Sequence, residues 1–163
     1  MNLKNTIYLI SLSVAFLVSC REQNQIKNEV SEEQEIKKLM ESYKDAIQNL
    51  TTEGTFELFT PDAIVFEQGK VEGTYKDYID NHLGPELKHF ESFTFSNYEI
   101  NITINLPYAY TTENYLYTIV LDEDETKGTI ERTIESKGVA TSVLKKINNN
   151  WRIVHSHTSF KKL

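Results

Sequence analysis

From Ser92 onward the apolar residues fall at every second position, whereas before it they recur at helical spacing. No other feature constrains the fold as strongly, because side chains alternate across a strand but return to one helix face every three or four residues. Ile36, Leu39, Met40, Tyr43, Ala46, Ile47 and Leu50 mark the buried stripe of a first helix, preceded by Ser31-Glu-Glu-Gln34 in the form of a capping box. A short second helix carrying Phe56, Leu58 and Phe59 is expected to stop at Pro61, since proline disfavours helix at the residue before it. Ala63 to Phe66 is a β-branched strand that sets Val65 and Glu67 on one side. After a turn at Gln68-Gly69-Lys70, Thr74 caps a third helix with Tyr75, Tyr78, Ile79 and Leu83 on one stripe, ended by Gly84-Pro85.

The strands follow. Phe93 and Phe95 set one phase and Tyr98, Ile100, Ile102, Ile104 and Leu106 the other, so a β-bulge is expected near Ser96-Asn97. Pro107 separates this strand from Tyr108 to Leu121. Asp122 to Glu125 reads as a solvated hairpin loop, with lysine and threonine where a calcium loop needs glycine and glutamate. Thr129 to Ile147 is one long strand with a possible break at Gly138, and Asn148-Asn-Asn150 turns it into a last strand, Trp151 to Phe160. Helices followed by strands give the α+β class: a bent antiparallel sheet with about three helices on its concave face.

The stretch Glu41 to Gln68 and the ending Trp151-Arg-Ile-Val-His-Ser-His-Thr-Ser159 resemble the NTF2-like superfamily, the cone-shaped fold of ketosteroid isomerases, SnoaL-type cyclases and the kinase-association hub domain. The resemblance covers about residues 31 to 160. It implies that Tyr43 stands where the isomerases have their oxyanion-stabilising tyrosine and Glu67 where they have their catalytic aspartate. Two departures weaken a transfer of function. Thr141-Ser142 stands where the isomerases place a second acid and the hub domain an arginine, and Thr158 replaces another hub arginine.

Residues 1–19 carry one positive charge and then an apolar run too short to cross a bilayer core of about 30 Å. Leu17-Val-Ser-Cys20 closes that run and resembles a bacterial lipobox. Cys20 is the single cysteine of the chain, so an internal disulfide is excluded, and lipidation at Cys20 is expected in preference to a plain cleaved signal. The expected organisation is therefore a lipoprotein signal peptide over residues 1–19, a polar tether over 20–30 and one domain over 31–163, lipid-anchored in the bacterial cell envelope. Loss of Lys4 with the signal takes the net charge from −7 to −8, a balance that argues against nucleic acid and anionic lipid headgroups as partners.

Tyr43 on a buried stripe and Glu67 beside a buried strand face are the candidate catalytic pair. Candidate ligand-binding residues are Tyr43, Glu67, His82, Glu113, Tyr115, Ser142 and His157; His155 and His157 are expected on one face with Trp151 and Ile153. His82 is otherwise read as a helix-end cap. An H-x-H pair offers zinc only two ligands, so no metal and no cofactor are expected. Two functions survive: a membrane-tethered module that binds a small, partly apolar molecule, and a lyase or isomerase with Glu67 as general base and Tyr43 as oxyanion donor. Apolar residues on both faces of the strands, Tyr110, Leu116 and Val120 against Tyr115, Tyr117 and Ile119, point to a homodimer through the convex face.

Overall fold

The computed structural model describes residues 30–121 and 132–163. The chain divides into two units, Met1–Gln34 and Glu35–Leu163. Of the first, the described residues 30–34 are helical; the second carries the whole of the sheet. Cys20, the expected tether up to residue 29 and the acidic run from Asp122 to Glu125 lie outside the described residues, and Val30, expected to end the tether, is already helical.

Helix α1 spans residues 30–48, so Ser31 lies within it and is not its cap. Ile36, Met40 and Ile47 are buried, as the helical spacing requires, with Leu39, Tyr43 and Leu50 packed against them. The Thr51 amide donates to the Ala46 carbonyl and the Leu50 amide to the Ile47 carbonyl, both at 3.0 Å. This closes the helix in a Schellman motif with Leu50 at a φ of 55°. The expected second helix is a single 3-10 turn, Phe56–Leu58. Too few residues lie between the left-handed Gly54 and Pro61 to nucleate anything longer.

Phe59 already belongs to β1 (Phe59–Glu67), and Pro61 lies inside that strand. It sits where the register of β1 slips between Phe59 and Ile64, as suits a residue with no N–H to give to a ladder. A turn with positive φ at Gln68 and Gly69 leads into β2 (Lys70–Thr74). Thr74 caps α2 (Tyr75–Tyr78) as expected, in a capping box completed by Asp77. Helical geometry does not end at Gly84-Pro85: a π-helical segment, Ile79–Leu83, passes into α3 (Gly84–Leu87). Gly84 has an ordinary helical φ of −62°, and glycine is required there because a Cβ would stand 2.4 Å from the Ile79 carbonyl oxygen. Pro85 sits in the first turn of α3, where a missing amide costs nothing. The described residues thus form two helical bodies.

The remaining strands are β3 (Phe90–Asn105), β4 (Tyr108–Leu121), β5 (Arg132–Ile147) and β6 (Asn150–Lys162). The expected bulge is present in β3, where the register shifts between Ser96 and Glu99 and Asn97 takes a φ of 50°. β5 runs unbroken through Gly138, and Asn148 and Asn149 make the turn with φ of 50° and 64°. The six strands lie in the order β2-β1-β6-β5-β4-β3. The sheet is mixed and not purely antiparallel, because β1 runs parallel to β6. Hydrophobic alternation fixes which face a residue occupies but carries no strand direction, so this neighbour could not be read from it. The inner face packs Ala109, Leu144, Trp151 and Ile153 against the helices.

Candidate functional site

Glu67 is the last residue of β1, and its position is set by its neighbours on both sides. In the following turn Gln68 holds β6: its Nε2 donates to the Phe160 carbonyl at 2.9 Å, and its Oε1 accepts from the Ser159 hydroxyl and the Phe160 amide at 3.0 and 3.1 Å. Glu67 is thereby fixed beside Thr158. Its carboxylate accepts from the Tyr78 hydroxyl at 2.8 Å, and its side chain is 16 % exposed. Burial pushes the Glu67 carboxyl above its ordinary pKa, against the lowering effects of the Tyr78 bond and His82.

Tyr43 reaches the same space from α1. Its ring meets Phe59 and Tyr75 edge-on, with centroids 5.3 and 6.2 Å apart, and burial raises its hydroxyl well above the ordinary tyrosine range. Tyr43 and Glu67 both line a cavity of about 430 Å³. Phe93, Phe95, Tyr115, Tyr117 and Phe160 supply its aromatic wall, while Glu86, Arg132 and Lys162 also border it. A second recess of about 50 Å³ shares the walls Tyr43, Ile47, Phe95, Tyr115 and Thr158 and holds Glu113, Tyr98, Ser142 and Ser156. Tyr115 stands between strands with its ring laid over Gly138, where a Cβ would come within 2.1 Å of Tyr115 Cε2.

Of the residues expected from sequence, Tyr43, Glu67, Glu113, Tyr115 and Ser142 are thus brought to these two adjoining spaces. His82 lies beside them in the π-helical segment. Its Nδ1 is 3.2 Å from Glu72 and 4.0 Å from Glu67, and its Nε2 is 3.3 Å from Glu86. Burial raises the Glu72 carboxyl, but bonds from Lys70 and His82 outweigh it and bring it below its ordinary value.

His157 is elsewhere. The register between β5 and β6 slips, so that Ile153 pairs with Leu144 and His155 with Val143. The extra residue, Val154, reverses the phase of the strand. Ser156 and Thr158 therefore line the inner recess, whereas His155 and His157 turn to the outer face beside Phe66, with ring centroids at 5.2 and 6.2 Å. Among the described residues no three His, Cys, Asp or Glu side chains are arranged to hold a metal ion.

Tyr78 and Gln68 escaped the sequence reading as site residues. Tyr78 was visible only as one member of an apolar stripe, and Gln68 only as a turn residue.

A family model described as a SnoaL-like domain matches residues 36–161. No curated protein matches the chain. Among solved structures, an NTF2-like superfamily protein from Salmonella enterica is 24 % identical with a TM-score of 0.65, covering 77 % of this chain and 88 % of its own. A ketosteroid isomerase-like protein from Erwinia carotovora is 13 % identical with a TM-score of 0.61, over 77 % and 93 %. A candidate scytalone dehydratase from Novosphingobium aromaticivorans is 15 % identical with a TM-score of 0.63, over 82 % and 86 %. At these identities the likeness is one of fold.

Proposed function

The chain belongs to the SnoaL-like domain family, and from that premise we propose that it binds one small, partly apolar molecule in the cavity beside Tyr43 and Glu67. The observation that carries the reading is the cavity itself. About 430 Å³ walled by aromatic rings lies within the ordinary range for small-ligand sites, and a few convergent polar groups orient what enters. A fluorescent aryl ketone, 2-acetylnaphthalene, is a suitable probe. Saturable binding at one site per chain is expected, weakened by about 1–3 kcal/mol in Tyr43→Phe, which deletes a single hydroxyl donor. Absence of saturable binding up to millimolar probe rejects the reading.

One observation favours a second, catalytic reading: the Glu67 carboxyl is buried in the cavity with its pKa raised, which suits a general base. Glu67 would take a proton from the carbon next to a bound carbonyl, the electron pair would move onto the oxygen, and the Tyr43 hydroxyl would donate to the resulting oxyanion. Relatives in fold that carry the names ketosteroid isomerase-like protein and candidate scytalone dehydratase accord with proton transfer. The protein should then exchange the methyl protons of 2-acetylnaphthalene with deuterium oxide, and Glu67→Gln should keep binding but lose exchange. Binding without exchange in the native protein leaves the first reading alone.

We further propose that a lipid on Cys20 tethers the domain to the bacterial envelope. The support is the Leu17-Val-Ser-Cys20 ending; no helix among the described residues is long and apolar enough to cross a membrane. Cys20→Ser should release the protein from membranes or block its maturation, and unchanged partitioning would refute the anchor.

A further inference from the structure

Glu113 is a buried acid whose protein surroundings leave it incomplete. The residue is 7 % exposed, and its two carboxyl oxygens accept from the Tyr98 hydroxyl at 2.7 Å and the Thr111 hydroxyl at 3.2 Å. Burial drives its pKa up, and those two hydroxyls alone oppose the shift. Among the described residues no cation comes within ion-pair distance of it. Lys44 also lines the recess, but its ammonium is 2.5 Å from Asp45 and 5.9 Å from the centroid of the Tyr98 ring. Two donors use about half the lone pairs of a carboxylate, and a buried acid without a cation is costly. The remaining acceptor capacity faces a cavity, not packed protein.

The rest of that recess is aromatic in part, with the hydroxyls of Ser142, Ser156 and Thr158 and the apolar Met40, Ile47 and Ala140 beside the rings. Phe95, Tyr98 and Tyr115 surround it with centroids 6.4, 5.1 and 6.2 Å apart, and Tyr43 closes the side shared with the larger cavity. The Glu113 carboxylate repels an anionic group and draws in a cation, and an aromatic face adds to that attraction where a cation meets it. Size narrows the choice. The recess, at about 50 Å³, is much smaller than the main cavity at about 430 Å³, so it takes a small polar headgroup and not the apolar body of a ligand. A primary ammonium has N–H groups to donate to the Glu113 carboxylate, and a trimethylammonium has none.

We propose that the inner recess receives the primary ammonium end of an amphipathic amine, paired with Glu113, while the apolar body of the same molecule fills the larger cavity. This rests on the reading of the larger cavity as a ligand site and narrows its ligand to one class. The shared walls at Tyr43, Ile47, Phe95, Tyr115 and Thr158 let one molecule touch both spaces. Tyr98 then has a positioning role, holding the carboxylate toward the recess.

The test compares 4-phenylbutylamine, 4-phenylbutan-1-ol and the N-trimethylated amine by calorimetry on the purified full-length chain near pH 8. The amine should bind at least about tenfold more tightly than the alcohol, through a charge-assisted bond and ring contacts the alcohol lacks. The trimethylated compound should lose that advantage, and Glu113→Gln should bring the amine down to the alcohol while leaving the alcohol within about twofold. A second measurement needs no variant: as the pH is lowered into the range where Glu113 takes up its proton, amine binding should begin to release a proton, seen in buffers of different ionisation enthalpy, and alcohol binding should not. Equal affinity for amine and alcohol, or a preference that survives Glu113→Gln, overturns the proposal and leaves the larger cavity as a site for neutral ligands. Failure of all three compounds to bind overturns the proposal, and if 2-acetylnaphthalene also fails the cavity reading falls with it.

Discussion

Glu67 and Glu113 are two acids whose burial shows as a pH dependence. Both carboxyls have raised pKa values, by burial first, so the folded chain binds their protons more tightly than the unfolded chain does. Their contribution is full below the ordinary glutamate value of 4.5 and is lost as pH rises through the folded-state values. Glu72 and Asp77 act in the opposite sense, since their lowered pKa values make stability fall with acid. The variant Glu113→Gln isolates one group. Between about pH 5 and pH 8 its urea midpoint should fall less than that of the native protein, and an equal or larger fall would contradict the assignment. Gly138 makes a second residue-scale case. Any side chain there collides with the Tyr115 ring, so Gly138→Ala should cost about 1–3 kcal/mol in urea unfolding and shift the shared wall of both cavities. An unchanged midpoint would mean that the ring moves freely. Tyr43 and Glu67 were legible as a pair through the resemblance to the isomerases, while local periodicity, a helical stripe and a strand parity, set each beside a buried face. That Glu113 has no cation beside it among the described residues was not legible, because it depends on what three other strands and a helix bring near it.

Among the elements, the two bulges show what alternation can and cannot carry. In β3 the phase change is written in apolar residues, Phe93 and Phe95 on one side of it and Tyr98 and Ile100 on the other, so the bulge was predicted. In β6 the residues that turn inward after Val154 are Ser156 and Thr158, which carry no hydrophobic signal, and the strand read as one phase. That is why His157 was assigned to the wrong face. The helical run failed differently: Gly84-Pro85 has the composition of a stop, but Gly84 makes room for a π-turn and Pro85 restarts the helix. Its beginning was readable, and it is testable. The Thr74 hydroxyl accepts from the Asp77 amide at 3.2 Å and donates to its carboxylate at 2.6 Å. Thr74→Ala should cost about 1 kcal/mol of stability, with Tyr78 and His82 carried on the loosened segment. Thermal unfolding checks it, and no loss would show that the cap is dispensable.

For the whole molecule, the class and the cone were legible because the helix-then-strand order survives any local misreading; the mixed sheet was not, because direction leaves no mark in sequence. The outer face bears on assembly. Tyr108, Tyr110 and Val139 are 45 %, 49 % and 45 % exposed, with Leu116 and Val120 half-buried, apolar side chains that a second copy would cover. We expect a homodimer through this face, and a sedimentation mass of one chain at micromolar concentration, after removal of the tether, would refute it. The placement of β1 beside β6 reaches further, into time. Gln68 and Phe160, which fasten these strands, are 92 positions apart, so a chain being synthesised has its first strand long before the neighbour that covers it. Its opening hairpin must wait with one edge unpaired while everything between is made. The cavity is accordingly the last feature to be completed, because Thr158, Ser159, Phe160 and Lys162 of the final strand are among its walls.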